Sequence, residues 1–402
     1  MKLISGKIFW SNKNRILNTY QYLSEDEECD VLIVGAGITG SICSYYLTEA
    51  GVKTILIDKN IISYGSTRAS TSLLEYSVDY DIRDLQNLIG IENAVKIYRL
   101  CHDAVGEIES IVNKLADRCD FKRRGCFYYT DKVSDYDSIK EEYLLRKDCG
   151  FDVEFFDKEL SKDKFSFTVK AGIYTRGGSG EIDPYRFAHA LIKNGLNKGL
   201  KVYENTEAVE FIQNSSGIIV ECRNNKRIKA KKVVIAIGYE AKKLIKEEEI
   251  KLNRTYTLVT RPVSGFEGWF NRCLIRDNKS PYTYLRTTND NRIIIGGEDS
   301  SLLELSDSEF IVNRKYKTLE TRLKTMFPKI SDIEIEYRFN GIFAETGDGL
   351  PYFGTHKKFP NFYFLLGYGS NGILYGILGS KIIRDLYLGK ETPDLNLFKF
   401  GR

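Results

Sequence analysis

A chain of 402 residues is too long for one simple hydrophobic core, so two domains are expected. Its 59 basic and 55 acidic residues nearly cancel to a net charge of +4 and are scattered rather than blocked, which argues against nucleic acid or a membrane surface as partner. Met1 to Trp10 holds no apolar stretch of signal-peptide length, and the eight cysteines form neither a CxxC pair nor a cluster with histidine; a cytoplasmic protein with reduced thiols and no metal is expected.

Residues 1–29 are polar and aromatic without a strong period and read as an arm on the surface of the first domain. From Asp30 the chain writes a buried strand straight into Gly35-Ala36-Gly37-Ile38-Thr39-Gly40. Gly35 permits a tight turn, Gly37 lets backbone approach a pyrophosphate, and Gly40 lets the following helix pack on the sheet. The helix starts at the phosphates, where its unpaired N–H groups and positive dipole end meet negative charge. Lys53 to Ile57 reads as the second strand, ending in Asp58, about 20 residues beyond the glycines, where a carboxylate accepts from both ribose hydroxyls. Lys59 follows it, and the hydroxyl-rich loop Tyr64 to Leu74 is expected to cross close to the cofactor.

Apolar residues at helical spacing (Ala94, Ile97, Cys101, Ala104, Ile108, Ile111, Leu115) and the strand Gly125 to Tyr129 open an inserted domain. Near Gly172 the nucleotide domain is expected to resume, with Asp183 capping a helix that has Pro184 at its first position. Strands follow around Val209 and from Lys232 to Gly238. Residues from Lys251 alternate strands and turns, with a helix around Phe310 to Met326. The boundaries read 1–29, 30–88, 89–171, 172–250, 251–337 and 338–402, the nucleotide and inserted domains alternating after the arm. Two uncharged runs, Val31 to Thr48 and Phe362 to Ser380, have the length of membrane spans. Each breaks into strand, glycine loop and helix, so no integral membrane segment is expected, and one ligand gripped from both ends of the chain is.

The second grip is Gly341-Ile342-Phe343-Ala344 with Asp348-Gly349-Leu350-Pro351, followed by Phe362 to Leu366 and the turn Gly367-Tyr368-Gly369-Ser370-Asn371-Gly372-Ile373. Together with the N-terminal cradle, this resembles the D-amino acid oxidase and glycine oxidase family of FAD enzymes, most of all its gamma-glutamylputrescine oxidase branch. The resemblance implies an α/β fold: an FAD-binding Rossmann-like domain of glutathione-reductase type, with an inserted α+β substrate domain built on a mostly antiparallel sheet. It further implies FAD lying extended, pyrophosphate on Gly35, Gly37 and Gly40, ribose on Asp58, and adenine against the backbone of Val209. The loop Ser66, Thr67, Ala69, Ser70 and Thr71 would line the isoalloxazine, with Gly238 and Gly341 nearby. The turn Gly369 to Ile373 would aim N–H donors at the flavin edge that becomes negative on reduction. NAD is less favoured, since it has no use for a second glycine grip.

Several residues depart from the family. Glycine oxidase relatives carry Gly-Leu-Arg-Pro where this chain has Gly341-Ile342-Phe343-Ala344, so the arginine that would clamp a carboxylate is replaced by Phe343. Arg286 is an alternative clamp or, equally, an ion-pair residue. Tyr256, Tyr282, Tyr284 and Phe343 are candidate pocket walls, though any one of them is as readily core. No cysteine lies beyond Cys273, so flavin attachment is expected to be non-covalent. The lysine that activates oxygen in sarcosine oxidases aligns with Ile294, which leaves the acceptor open between O2 and another carrier. His102, His189 and His356 read as structural, His189 lying on the polar stripe of its helix with Arg186 and Lys193. The function expected is FAD-dependent oxidation of a small-molecule amine or amino-acid derivative at its C–N bond, by hydride transfer and hydrolysis of the imine. The alternatives are an FAD-dependent 2-hydroxy acid dehydrogenase and a flavoprotein without turnover. No residue is assigned as a catalytic base, and the oligomeric state is left open.

Overall fold

The computed structural model describes residues 3–214, 217–245, 250–302 and 308–402. Two sheets organise them. The first has eight strands, and its path runs Tyr352–His356, Phe359–Leu366, Arg227–Ile235, Glu27–Val34, Thr54–Ile57, Lys201–Tyr203. From Phe359–Leu366 to Lys201–Tyr203 the pairing is parallel. Val31, Leu32 and Ile33 have no exposed surface because both faces of the sheet are covered, which is why this segment reads as an unbroken apolar run. One face carries the helices Ile38–Glu49, Pro184–Leu196 and Gly372–Tyr387. The other is backed by the hairpin Ala208–Asn214 and Gly217–Cys222.

The second sheet has ten strands, along the path Ile4–Gly6, Ile335–Thr346, Ile250–Thr260, Ile293–Ser301, Tyr284–Thr287, Leu274–Asp277, Lys122–Thr130, Ala171–Glu181, Leu73–Glu75, with Val153–Asp157 also paired to Ala171–Glu181. All of its pairings are antiparallel except that of Lys122–Thr130 with Leu274–Asp277. The helix Glu309–Met326 lays Tyr316, Leu319 and Leu323 over Ile293 and Ile295.

Three segments sit differently from the sequence reading. The N-terminal residues are not a surface arm. Ile4–Gly6 adds an edge strand to the second sheet, and the helix Phe9–Asn14 sinks Phe9 and Trp10 into a cluster with Tyr185, Val259, Ile294 and Tyr337. Two aromatic residues in one short helix carry too weak a period to signal burial. Gly172 opens no nucleotide strand: Ala171–Glu181 pairs within the second sheet, and so does Ile335–Thr346, so the chain returns to the first sheet later than 172 and 338. The stripe of Ile91–Lys114, read as the start of the inserted domain, is buried in the same core as Leu374 and Tyr375.

Trp10 also donates its indole N–H to the Ser70 carbonyl at 2.7 Å, tying the N-terminal helix to the hydroxyl-rich loop. Trp10→Ala is therefore expected to cost about 3–5 kcal/mol, the range for deleting a large buried aromatic. A urea melt tests this; an unchanged midpoint would return the segment to the surface.

Candidate functional site

Three parallel strands end side by side at one edge of the first sheet, with Ile235 in register with Val34 on one flank and Phe364 on the other. A ligand crevice is expected at the carboxyl ends of such strands, where the connections diverge. A cavity of about 630 Å³ opens there and runs between the two sheets. Val209, more than half exposed, stands at one end with Glu207; Tyr282, Tyr284 and Asp299 stand at the other.

The N-terminal turn is built by close approach. Gly35 has φ +104°, and a Cβ there would lie 2.5 Å from the Ala236 carbonyl oxygen. A Cβ on Gly40 would fall 1.9 Å from the oxygen of Gly35, so Gly40 packs helix on turn and does not itself line the cavity. Gly37, Ile38 and Thr39 do line it. The Ile38 amide donates to Thr67 Oγ1 at 2.9 Å, leaving that hydroxyl's own proton to donate elsewhere. Asp58 accepts from the amides of Ala36 and Asn60 at 2.8 Å each, which fixes its carboxylate against the turn with lone pairs to spare. Burial pushes its pKa up to about 6. Lys59, beside it, pairs with Glu240 across the cavity mouth.

The C-terminal turn meets the first from the neighbouring strand. Asn371 caps Gly372–Tyr387 and anchors its side chain on the Ser77 carbonyl at 2.8 Å. Gly369 donates to the Ala344 carbonyl and Ser370 to Asp79, so two of the expected donors of this turn are already engaged. The first-turn amides from Gly372 to Leu374 have no intrahelical acceptor, and all three residues line the cavity. Ser66, Thr67, Ala69, Ser70, Thr71, Gly238 and Gly341 line the stretch between the turns.

At the far end Tyr282, Tyr284 and Phe343 form walls, as the sequence suggested, but two other candidates are misplaced. Tyr256 has no exposed surface and packs edge-on against Tyr316 in the core of the second sheet. Arg286 is equally buried, and Nη1 donates to the carbonyls of Thr71, Ser72 and Ile182 while Nε donates to Thr287. Its guanidinium thus holds the hydroxyl-rich loop and is no substrate clamp; an outward register on the strand Tyr284–Thr287 was the assumption that failed. The arginine that does reach the cavity is Arg276, on Leu274–Asp277. Its Nε lies 3.9 Å from Glu75, and its plane covers Tyr128 at 4.8 Å. A charged residue inside a short apolar strand was the signal available for it.

Asp299 and Thr255 were also unassigned by the sequence. The pair Gly296-Gly297 inside a strand was their signal, since glycine there marks a bulge. None of the three histidines lines the cavity. His189 lies inside against Tyr185 with both ring nitrogens lacking hydrogen-bond partners, not on a polar stripe, and burial lowers its pKa to about 4. Ile294, aligned with the oxygen-activating lysine, packs on Phe9 and Trp10 away from the cavity.

Residues 30–386 match the family model DAO, described as FAD dependent oxidoreductase. The chain belongs to this family. It is 25% identical to gamma-glutamylputrescine oxidoreductase of Escherichia coli over 383 residues, 92% of this chain and 86% of that protein. It is 22% identical to glycine oxidase of Geobacillus kaustophilus over 395 residues, 93% and 97% of the two chains. The crystal structure of that glycine oxidase superposes with a TM-score of 0.78 at 21% identity, covering 94% of this chain and 99% of the other. The two sequence identities are close, so similarity fixes the family and not a branch within it. The cofactor of this family is FAD, and the cavity suits a dinucleotide: the starts of the helices Ile38–Glu49 and Gly372–Tyr387 both open onto it, and the turn at Gly35 has no room for a side chain.

Removing the guanidinium that gathers four carbonyls leaves buried acceptors unpaired, so Arg286→Met is expected to cost roughly 3 kcal/mol or more. It should also loosen FAD while leaving the substrate preference of the remaining holoenzyme unchanged. Thermal melts, flavin content and a substrate panel check this; a shift in substrate preference with stability intact would make Arg286 a clamp after all.

Proposed function

We propose that the protein oxidises the C–N bond of a small-molecule amine: the carbon beside the nitrogen loses hydride, and water hydrolyses the resulting imine. The observation that carries this reading is one continuous cavity, with a dinucleotide cradle along its length and a walled polar pocket of Tyr282, Tyr284, Phe343, Thr255 and Asp299 at its end. FAD, when bound, supplies the two-electron acceptor. The residues' share is to seat it and to hold the substrate carbon still, which is where much of a hydride transfer's barrier is lowered.

In this reading Gly37, Ile38, Thr39 and Thr67 receive the pyrophosphate, Asp58 the ribose, and Val209 the adenine. Ser66 to Thr71 and Gly341 lie along the isoalloxazine, and the amides of Gly372 and Ile373 serve its pyrimidine edge. Attachment is non-covalent, since no cysteine lines the cavity among the described residues. All eight cysteines are unpaired, which suits a cytoplasmic, reducing compartment. No helix among the described residues is long and apolar enough to cross a membrane. The relatives named above act, by their names, on glycine and on gamma-glutamylputrescine, both amines. A 2-hydroxy acid is not favoured, because those relatives act on amines and the charge of Arg276 is already balanced by Glu75 at 3.9 Å.

Among the described residues Lys59 is the one lysine of the cavity lining, and it sits at the ribose end beside Asp58. An acceptor other than O2 is therefore part of the proposal. Anaerobic mixing of the holoenzyme with amines, N-alkyl amino acids, amino acids and 2-hydroxy acids is expected to bleach the flavin with amines and leave hydroxy acids silent. The bleached enzyme should regain colour faster with an artificial electron acceptor than with air. Bleaching by hydroxy acids alone, or by nothing in the panel, would overturn the reading.

A further inference from the structure

The strand Ile293–Ser301 carries one residue more than its partner at the cavity wall. Arg254 opposes Ser300 and Tyr256 opposes Gly297, so Thr255 alone faces both Glu298 and Asp299. Gly297 has φ +139° and Glu298 +58°, the marks of a bulge. Its effect is to turn Asp299 out of the sheet's alternation and into the cavity. Thr255 hydrogen-bonds the Asp299 carboxylate. Its hydroxyl also lies 2.9 Å from the Tyr284 hydroxyl, which links the two residues by a hydrogen bond. Asp299 Oδ1, however, is buried with no hydrogen-bond partner.

A charge count of this end of the cavity decides what Oδ1 lacks. Among the described residues the lining at this end holds Glu75, Arg276 and Asp299; Glu75 balances the charge of Arg276 from 3.9 Å, though Arg276 Nε itself makes no hydrogen bond. The charged groups that act most strongly on Asp299 are Glu345, Asp79 and Lys315. Lys315 is shared with Glu298, which Arg322 also pairs. The described lining at this end thus carries one more negative than positive charge, and its unmatched acceptor is a carboxylate oxygen. Unpaired carboxylates are stabilised by a cation, and an ammonium is the cation an amine brings.

We infer that Asp299 anchors a protonated nitrogen of the substrate, so that cationic amines lacking a carboxylate are preferred over zwitterionic amino acids; this rests on the amine-oxidation reading for calling the cavity a substrate pocket. Phe343 in place of the family's arginine agrees with it, because an added cation there would compete with the substrate's own. The anchor also sets a pH dependence. Burial, followed by the repulsion of Glu345 and Asp79, pushes the Asp299 pKa up to about 7 against the opposing Thr255 bond and Lys315. The charged form grows as pH rises through that value, so affinity for a cationic amine should rise between pH 6 and 8.

The test is a binding titration of the holoenzyme under anaerobic conditions, read by flavin absorbance and by calorimetry. The probes are butylamine, 1,4-diaminobutane and norvaline, the last adding a carboxylate to the butylamine chain. The amines are expected to bind at least about tenfold more tightly than norvaline. Asp299→Asn, nearly isosteric, should weaken both amines by about 30-fold or more, abolish the rise with pH and leave norvaline unaffected. Asp299→Glu should restore part of the loss, and unchanged flavin spectra and melting temperatures would show that the variants fold. Norvaline binding as tightly as butylamine, or amine affinity indifferent to Asp299→Asn, overturns the anchor. Amines that bleach the flavin equally in both proteins would sink the anchor and keep amine oxidation. Amines that bind through Asp299 without bleaching would keep the anchor and sink the oxidation, and probes that do not bind at all sink both.

Discussion

Everything at the site depends on three parallel strands finishing together. Glu27–Val34 and Phe359–Leu366 come from opposite ends of the chain, yet each pairs with Arg227–Ile235, and their glycine turns emerge at the same edge. Parallel pairing requires long connections, and here they are long enough to hold most of a second sheet. The buried apolar strands thus do two things at once: they form the centre of the core, and they deliver helix starts to one crevice. Neither turn alone would bind a dinucleotide along its length.

The second sheet closes that crevice and is itself fastened by buried charge. Arg286 gathers carbonyls from the hydroxyl-rich loop and from Ile182, with Glu181 at 3.8 Å, and Trp10 takes a further carbonyl from the same loop. Burying a guanidinium is tolerable here because Nη1 and Nε both find carbonyl oxygens and a carboxylate lies close by. The loop is therefore set by contacts from residues far away in the chain, and its hydroxyls are left to face the cavity. Asp299 shows the opposite balance. Its bulge, its bond to Thr255 and its orphaned oxygen keep a carboxylate where solvation is poor, and a group kept at such a cost is most simply read as one that awaits a partner.

The strand, turn and helix from Asp30 to Glu49 could be read directly, because the chemistry that makes them is local: β-branched runs, glycine where a Cβ has no room, and an acid at the end of the next strand. The same holds for the cap at Asp183, whose side chain accepts from Tyr185 and Arg186 as its sequence suggests. The family resemblance extended this to the overall architecture; Tyr282, Tyr284 and Phe343, which line the cavity, could not be told from core aromatics by sequence. Where the reading failed, the cause lay in pairing partners. Ala171–Glu181 looks like a change of domain because of its glycines, but those glycines lie in a strand packed beneath Phe127 and Phe121. Trp10 looks solvent-facing until the sheet it covers is in place.

Residue types and their spacing were therefore sufficient for the strand, turn and helix from Asp30 to Glu49, since these rest on interactions within a few turns of chain, and the resemblance supplied the cofactor class. They could not tell Arg276 from Arg286, or find Asp299. Which arginine is sealed among carbonyls and which one reaches the cavity depends on strand register, and one extra residue in Ile293–Ser301 reverses the face a side chain takes. Those choices are made by neighbours distant in sequence, and they become visible only once the two sheets are packed together.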